Sequence, residues 1–403
     1  MDFEKSHNKS KAEIVNNIKS KRILKWLLVD GDLVDTGGMD IANLRLAEFL
    51  SENRPLHIVA HRTEVALATK ENVTLHRIPR PFNLHLIGGP LLDWGGRKVA
   101  KRIAGEGAAT IIVNGGNCLI NQSINWIHYV HAAYQPALSV SLLRRIKAKL
   151  HRRLSLSNER IALSKAKLVL CNSQLTANHV INLLRVPAER VRVVYYGIDA
   201  NRFHPATETE HAGLRQRLGW DADRPYLLFI GALGDRRKGF DSVASAMEKL
   251  CSEPSWDANL VVVGSGADKG HWEKHFRDLG LEHRVSFLGF RSDVPDLLRA
   301  ADALVAPTRY EAYGLGVHEA ICCGLPAFVS RESGVAERYP DSLRPRLLLN
   351  DPDDVDDLVS KLRDWRADME MYRALVGDFS AELRKRTWRD MAKEFVALVQ
   401  EAV

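Results

Sequence analysis

From Ile23 onward the chain alternates short, nearly continuous apolar runs with longer stretches whose apolar residues recur at helical spacing. ILKWLLVD (23–30), LHIVA (56–60), VTLHRI (73–78), ATIIVN (109–114), WIHYVH (126–131), KLVLCN (167–172) and VRVVYY (191–196) read as strands. IANLRLAEFLSE, after the first of them, carries the three-to-four residue spacing of a helix. YYGIDANRFHP (195–205) interrupts the rhythm, and the polar ATETEHAG follows it. A second series then begins: YLLFIG (226–231), NLVVVG (259–264), VSFLG (285–289), ALVAP (303–307), PAFVS (326–330) and RLLL (346–349). Strands buried on both faces and separated by helices imply parallel sheets covered on both sides. The pattern therefore predicts an α/β chain of two tandem, doubly wound, Rossmann-like domains with a cleft between them. The expected segments are a polar tail over 1–21, a first domain over 22–196, a link over 197–205, a second domain over 206–385 and a terminal helix over 386–403. That last helix, with Met391, Phe395 and Leu398 on one stripe, is expected to pack back on the first domain.

Length agrees with this division, since 403 residues suit two cores better than one. Charge adds something the pattern does not. Residues 1–200 hold 29 Lys and Arg against 16 Asp and Glu, and the remainder hold 28 against 34. A basic half is joined to an acidic half, which points to an anionic partner for the first. The five cysteines form no C-x-x-C pair, which fits a reducing, cytoplasmic setting and argues against a disulfide framework. The first 22 residues lack the apolar core of a signal peptide, and no run approaches the length of a membrane span.

Candidate chemistry clusters in turns after strands. Gly37 and Gly38 stand between a strand and a helix, where small residues let backbone amides approach an anion; a plain turn is the alternative. Asp30-Gly31-Asp32 has the form of a metal-binding pair but also that of an ordinary polar turn. FIGALGDRRKGF (229–240) places Arg236, Arg237 and Lys238 in a loop that suits a diphosphate, or else forms a solvated basic turn. GSGAD (264–268), beginning at Gly264, is a further Gly-rich turn at a sheet's carboxyl edge. In PTRYEAYGLGVHEAICCGLPAFVS (307–330), Glu311 lies in a loop ending at Gly314-Leu315-Gly316, and Glu319 follows on a helix. Two carboxylates around a helix N-terminus can surround a phosphorylated, polyhydroxylated ligand.

The stretch from Glu311 to Ala327 resembles the E-x7-E motif of retaining, GT-B-type glycosyltransferases of family four. Its neighbours agree in order and spacing. Arg236–Gly239 is similar to that family's diphosphate loop, VSFLGFRSDVPDLLRAADALVAP to the segment before the motif, ERIALSKAKLVLCNSQ to the end of the first domain, and VVYYGIDANRFHP to the link. The resemblance covers roughly residues 23–400. It implies a GT-B fold and a retaining hexosyltransferase that moves a sugar from a nucleotide-diphosphate sugar to an acceptor hydroxyl, in polysaccharide, lipopolysaccharide or glycolipid synthesis. It further implies that Gly37 and Gly38 face the donor's phosphate–sugar junction, that Lys238 binds the diphosphate and that Glu319 holds the ribose. Glu311 lies against the transferred sugar, Gly314 and Leu315 meet sugar and phosphate, and the backbone at Phe290 and Arg291 meets the base. His131 resembles the histidine near the reacting carbon, with His128 as its rival. No cofactor and no metal are implied.

One departure stands out. The family usually places arginine directly after the glycine that ends the loop's strand, and this chain has Ala232 there. Arg236 or Arg237 would have to serve the same phosphates. The basic run LRRIKAKLHRR (143–153), extended to Lys167, suits an anionic surface such as the inner face of the cytoplasmic membrane, or a phosphorylated acceptor, or else a solvated helix. A nucleotide-sugar epimerase and a non-catalytic sugar-nucleotide binder are the alternatives to transfer. Nothing has the spacing of a nucleic-acid-binding motif.

Overall fold

The structure is a computed structural model, and it describes residues 25–135, 142–234 and 236–402; of residues 142–151 it describes the backbone alone. The tail expected over 1–21 lies outside the described residues, as do most side chains of the basic run from 143. Contacts gather the chain into two compact units. One comprises Met1–Trp126, Ser157–Leu170 and Ala392–Val403, the other Ile127–Leu156 and Cys171–Met391.

In the first unit β1 (Lys25–Val29), β2 (Leu56–Ala60), β3 (Val73–Arg77), β4 (Ala109–Val113), β5 (Ile124–Ile127) and β6 (Leu168–Cys171) are ordered β3-β2-β1-β4-β5-β6. The β1–β2, β1–β4, β2–β3 and β4–β5 pairs are parallel, and Trp26 lies between Leu56 and Thr110. Helices α1 (Gly38–Leu50), α2 (His85–Gly105) and α3 (Leu142–Lys165) lie between strands in the chain. The α2 side that carries Gly88, Leu92, Gly95, Gly96, Ala100 and Ile103 is buried. Its glycines set the approach: a Cβ on Gly96 would lie 2.7 Å from Cys118 Sγ, and one on Gly95 2.5 Å from Ile78. A larger residue at either position would force these neighbouring side chains to shift.

The second unit repeats the design. After α4 (Gln174–Leu184) and α5 (Glu208–Leu218) come β7 (Tyr226–Ile230), β8 (Asn259–Val263), β9 (Val285–Gly289), β10 (Ala303–Ala306), β11 (Ala327–Ser330) and β12 (Leu348–Leu349). Their order is β9-β8-β7-β10-β11-β12, again parallel. Helices α6 (Phe240–Cys251) and α7 (Leu315–Cys322) follow β7 and β10. A buried ion pair joins α5 to the sheet. Arg215 meets Asp302 and donates to the carbonyls of Ala300 (3.0 Å), Ala222 (2.9 Å) and Arg224 (3.1 Å), while Asp302 also accepts from Tyr226 N at 2.8 Å. With its donors and acceptor so occupied, the pair can lie out of water without an unmatched charge.

The last helix, α8 (Trp388–Ala402), buries Met391, Ala392, Phe395 and Val399, and the Phe395 ring lies 5.1 Å from that of Trp126. The sequence pattern points to Leu398 for this stripe; steps of four from Met391 select Val399 instead. Several strands are shorter than the pattern predicts: the run 191–196, for one, is strand over Val191–Val193 alone, at the edge of the first sheet beside β6. The run 126–131 leaves the ladder after Ile127, because the Val130 amide donates to the Tyr310 hydroxyl at 2.9 Å. In 346–349, Arg344–Leu347 forms a helical turn opened by Pro345, which leaves Leu348–Leu349 as strand.

Candidate functional site

Chain order reverses between β7 and β10 in the second sheet, and open α/β sheets bind ligands outside the carboxyl ends of their strands at such a reversal. After β7 the chain turns through Arg236–Lys238 before entering α6; after β10 it runs through residues 307–314 to α7. Arg309 ties the two turns together. Its amide donates to Arg237 O at 2.8 Å, and its guanidinium grips Asp241 at 2.8 and 2.9 Å and Asp353 at 3.0 Å.

That clamp sets the cations against Glu311. Lys238 Nζ donates to Glu311 Oε2, and Arg237 Nη1 donates to the same oxygen at 3.1 Å and to Tyr310 O at 3.2 Å. Burial alone would raise the Glu311 pKa, but Lys238 and Arg237 outweigh it and hold the carboxyl below its usual range. Arg236 turns elsewhere: it is exposed and bonds Asp241 through Nε at 2.6 Å. Of the three basic residues that the sequence offered, two converge and one does not.

The loop beyond Glu311 is equally constrained. Ser173 Oγ and Thr176 Oγ1, at the start of α4, donate to Ala312 O at 2.6 and 3.0 Å. Gly314 caps α7 at φ +101°, and a Cβ there would lie 2.6 Å from Ser333 Oγ, so glycine alone fits. Leu315 opens the helix, and the half-buried Glu319 sits on its fifth residue, eight positions after Glu311. Behind them Tyr313 Oη bonds His318 Nδ1 at 2.7 Å, and burial pushes the His318 pKa down to about 3.

An aromatic wall that sequence reasoning missed stands beside the charges. The Tyr310 ring is buried, meets Tyr129 edge-on at 5.1 Å and stacks with Tyr134 at 6.2 Å. The Arg237 guanidinium lies 5.8 Å from the Tyr129 ring centre, and the His131 ring lies 5.0 Å from that same ring. The structure thus brings His131, Arg237, Lys238 and Glu311 into one chain of contacts. Tyr310 is the residue before Glu311, and that adjacency was its signal. Tyr129 had none, since an isolated aromatic in an apolar run reads as core.

The two histidine candidates separate cleanly. His128 is buried, bonds the Tyr196 hydroxyl at 2.5 Å, and has its pKa pushed down to about 3 by burial. His131 is partly exposed, in the turn after the strand. Gly264 follows β8 and donates to Gly289 O at 2.8 Å. Phe290 is exposed at the end of β9, and the Arg291 guanidinium is held by Asp293 at 2.7 Å.

Gly37 and Gly38 lie in the first unit, where chain order reverses between β1 and β4. Gly37 caps α1, and Gly38 is its first residue. Asp32 is gripped by Arg62 at 2.8 and 3.0 Å and by Arg80 at 3.0 Å. Among the described residues no group of three or more His, Cys, Asp or Glu is placed to hold a metal. Asp30 is raised to about 6 by burial, and Asp40 to about 7 by burial and then the charges of Asp30 and Asp32. A carboxyl whose folded pKa exceeds its unfolded value of about 4 binds its proton more tightly when folded, so stability falls as pH rises from about 4 to about 7. Asp40→Asn is expected to flatten that fall in urea denaturation followed across the window. An unchanged slope would show that Asp40 is not its source.

Two parallel, doubly wound sheets with charged and glycine-bearing turns at their carboxyl edges are the GT-B fold of glycosyltransferases. The profile of Glycosyltransferase Family 4 matches residues 36–202 and that of Glycosyl transferases group 1 matches 211–377. The chain belongs to this family of group 1 glycosyltransferases. Among curated relatives, mannosylfructose-phosphate synthase of Agrobacterium fabrum is 27% identical over 256 residues, covering 61% of this chain and 55% of that protein. The chain spans about half the length of the curated relatives it matches. Among solved structures, sucrose-phosphate synthase from Thermosynechococcus elongatus superimposes with a TM-score of 0.76 at 20% identity, covering 94% of this chain and 98% of that one. Anabaena HepE in complex with UDP and glucose gives 0.70 at 20% identity, with 95% and 100% covered. Among the described residues no helix is long and apolar enough to cross a membrane.

Proposed function

We propose that the protein transfers a sugar from a nucleotide-diphosphate donor to an acceptor hydroxyl with retention of anomeric configuration, in the synthesis of an envelope polysaccharide, lipopolysaccharide or glycolipid. The observation that carries this reading is the convergence of Lys238 and Arg237 on Glu311 at the reversal point of the second sheet. Two cations held by a carboxylate are pre-positioned for a diphosphate, whose oxygens would replace or share that carboxylate. The UDP and glucose bound by HepE support a nucleotide sugar as the ligand class.

In this reading the acceptor hydroxyl attacks on the face the diphosphate is leaving, and a departing phosphate oxygen takes its proton. The protein supplies position and charge rather than a nucleophile. Lys238 and Arg237 stabilise the leaving diphosphate, Gly314 and Leu315 offer the α7 start to phosphate and sugar, and Glu319 accepts bonds from the ribose hydroxyls. Glu311 and His131 lie against the transferred sugar, Gly37 and Gly38 meet the phosphate–sugar junction, and Gly264, Phe290 and Arg291 border the base. No step calls on a metal. The basic first half suits an acceptor that is anionic or carried on an anionic surface.

A thermal-shift screen against UDP, GDP and ADP sugars tests the reading. One nucleotide class is expected to raise Tm, because a ligand at a hundred times its Kd stabilises by about 2.7 kcal/mol. Glu319→Ala should abolish both the shift and donor turnover. A full shift with normal turnover in that variant would sink the ribose assignment, and no shift with any nucleotide sugar would sink the donor.

A further inference from the structure

Tyr310 stands in the loop that carries Glu311, yet its hydroxyl serves a different segment of the same unit. The side chain is buried, and Oη accepts the Val130 amide at 2.9 Å. Val130 opens a tight turn in which its own carbonyl accepts from the Ala133 amide at 3.0 Å, and His131 is the next residue. Further along that turn, Arg152 Nη2 donates to the carbonyls of His131 and Tyr134 at 3.4 and 3.5 Å. The Tyr310 carbonyl meanwhile accepts from Arg237 Nη1 at 3.2 Å, and the following residue, Glu311, takes both Arg237 and Lys238. One residue thus ties the backbone that carries His131 to the backbone that carries the carboxylate.

We propose that Tyr310 is the positioning residue for His131, its hydroxyl fixing the turn that keeps the imidazole against Tyr129, the ring that Arg237 also faces. Packing does not require that hydroxyl, since a phenylalanine would give Tyr129, Tyr134 and His179 the same ring. Val130 is wholly buried and lies beyond the end of β5, so its amide has neither water nor a ladder partner to replace Oη. Without Oη the peptide must rotate toward another acceptor, and His131 moves with it. Displacing a group by about 1 Å at a reacting centre costs on the order of a hundredfold in rate. The inference deepens the reading in which His131 lies against the transferred sugar, and it rests on that reading for its kinetic consequence.

Wild type, Tyr310→Phe, His131→Ala and the double variant test it, each as the full chain. The probe is whichever UDP, GDP or ADP sugar raises the Tm of the wild type. Tyr310→Phe is expected to lower kcat for nucleoside-diphosphate release about ten- to a hundredfold. Its Kd for the same nucleotide sugar, from thermal-shift titration, should stay within about threefold, because Oη bonds the turn and not the cations. The double variant should be no slower than His131→Ala, since with the imidazole gone the hydroxyl has nothing left to position. Without ligand, the His131 Cε1–H proton resonance, assigned by its loss in His131→Ala, should shift in Tyr310→Phe. Wild-type kcat in Tyr310→Phe, losses that multiply in the double variant, or an unmoved resonance would each overturn the positioning role and leave the transfer reading standing. Wild-type kcat in His131→Ala would overturn the placement of His131 against the sugar, and this inference with it. Absent donor turnover in the wild type would overturn the transferase reading, and the resonance alone would then decide whether Tyr310 positions His131.

Discussion

Lys238→Ala is expected to lower kcat/KM for the donor by about a hundred- to a thousandfold, the range seen when one preorganised donor to a developing charge is removed. The lysine ammonium is held in place before any ligand arrives, by Glu311 and by the turn that Arg309 anchors. Little reorganisation is then needed when negative charge gathers on the leaving diphosphate. The variant should still fold, because Glu311 keeps Arg237 at 3.1 Å and is not left as an unmatched buried charge. Initial rates of nucleoside-diphosphate release across donor concentration give the measurement. If the loss falls on kcat as well as kcat/KM, Lys238 acts mainly in the transition state; a change confined to KM would mark uniform binding. Rates within about threefold of wild type would remove Lys238 from the reaction, since that difference is under 1 kcal/mol.

The second large effect is an asymmetry between neighbours. Arg237→Ala is expected to cost about ten- to a hundredfold in kcat/KM, the value of one charged hydrogen bond at about 1.5–3 kcal/mol. Arg236→Ala should change it by less than about threefold, because that side chain is exposed and spends its charge on Asp241 in a surface pair. Both are arginines in one turn, so composition cannot separate them; the direction of their side chains does. The same logic yields a rescue. Ala232 occupies the place where the family resemblance leads one to expect arginine, and it is exposed just after β7. Ala232→Arg in the Arg237→Ala background should restore part of the lost rate, measured with the same assay. Equal losses in Arg236→Ala and Arg237→Ala, with no rescue, would show that neither arginine stands in for the missing one.

Much of this site was legible before folding because its chemistry is local. The turn Arg236–Lys238, the glycine before α7 and the eight-residue step from Glu311 to Glu319 are each set by a few neighbouring residues. What was not legible depends on distant pairs. Arg309 decides which way Arg236 and Arg237 point, and it lies more than seventy residues from both. His128 and His131 look alike in one apolar run, until Tyr196 takes the first and Tyr310 draws the amide between them out of the ladder. The exposed end of α2 was hidden for a related reason. Its leucines and isoleucine read as core, and only the glycines on the opposite side, pressed against Cys118 and Ile78, show which side the sheet takes.

Alone, then, the sequence determined the α/β class, the two sheets and the turns that carry the charges, because strand, helix and turn preferences are properties of short segments. Tertiary structure decided which cations meet Glu311, which histidine is buried and which side of α2 faces water. Those choices are made by contacts between residues far apart in the chain, where burial and pairing set the free energy and local pattern has no hold.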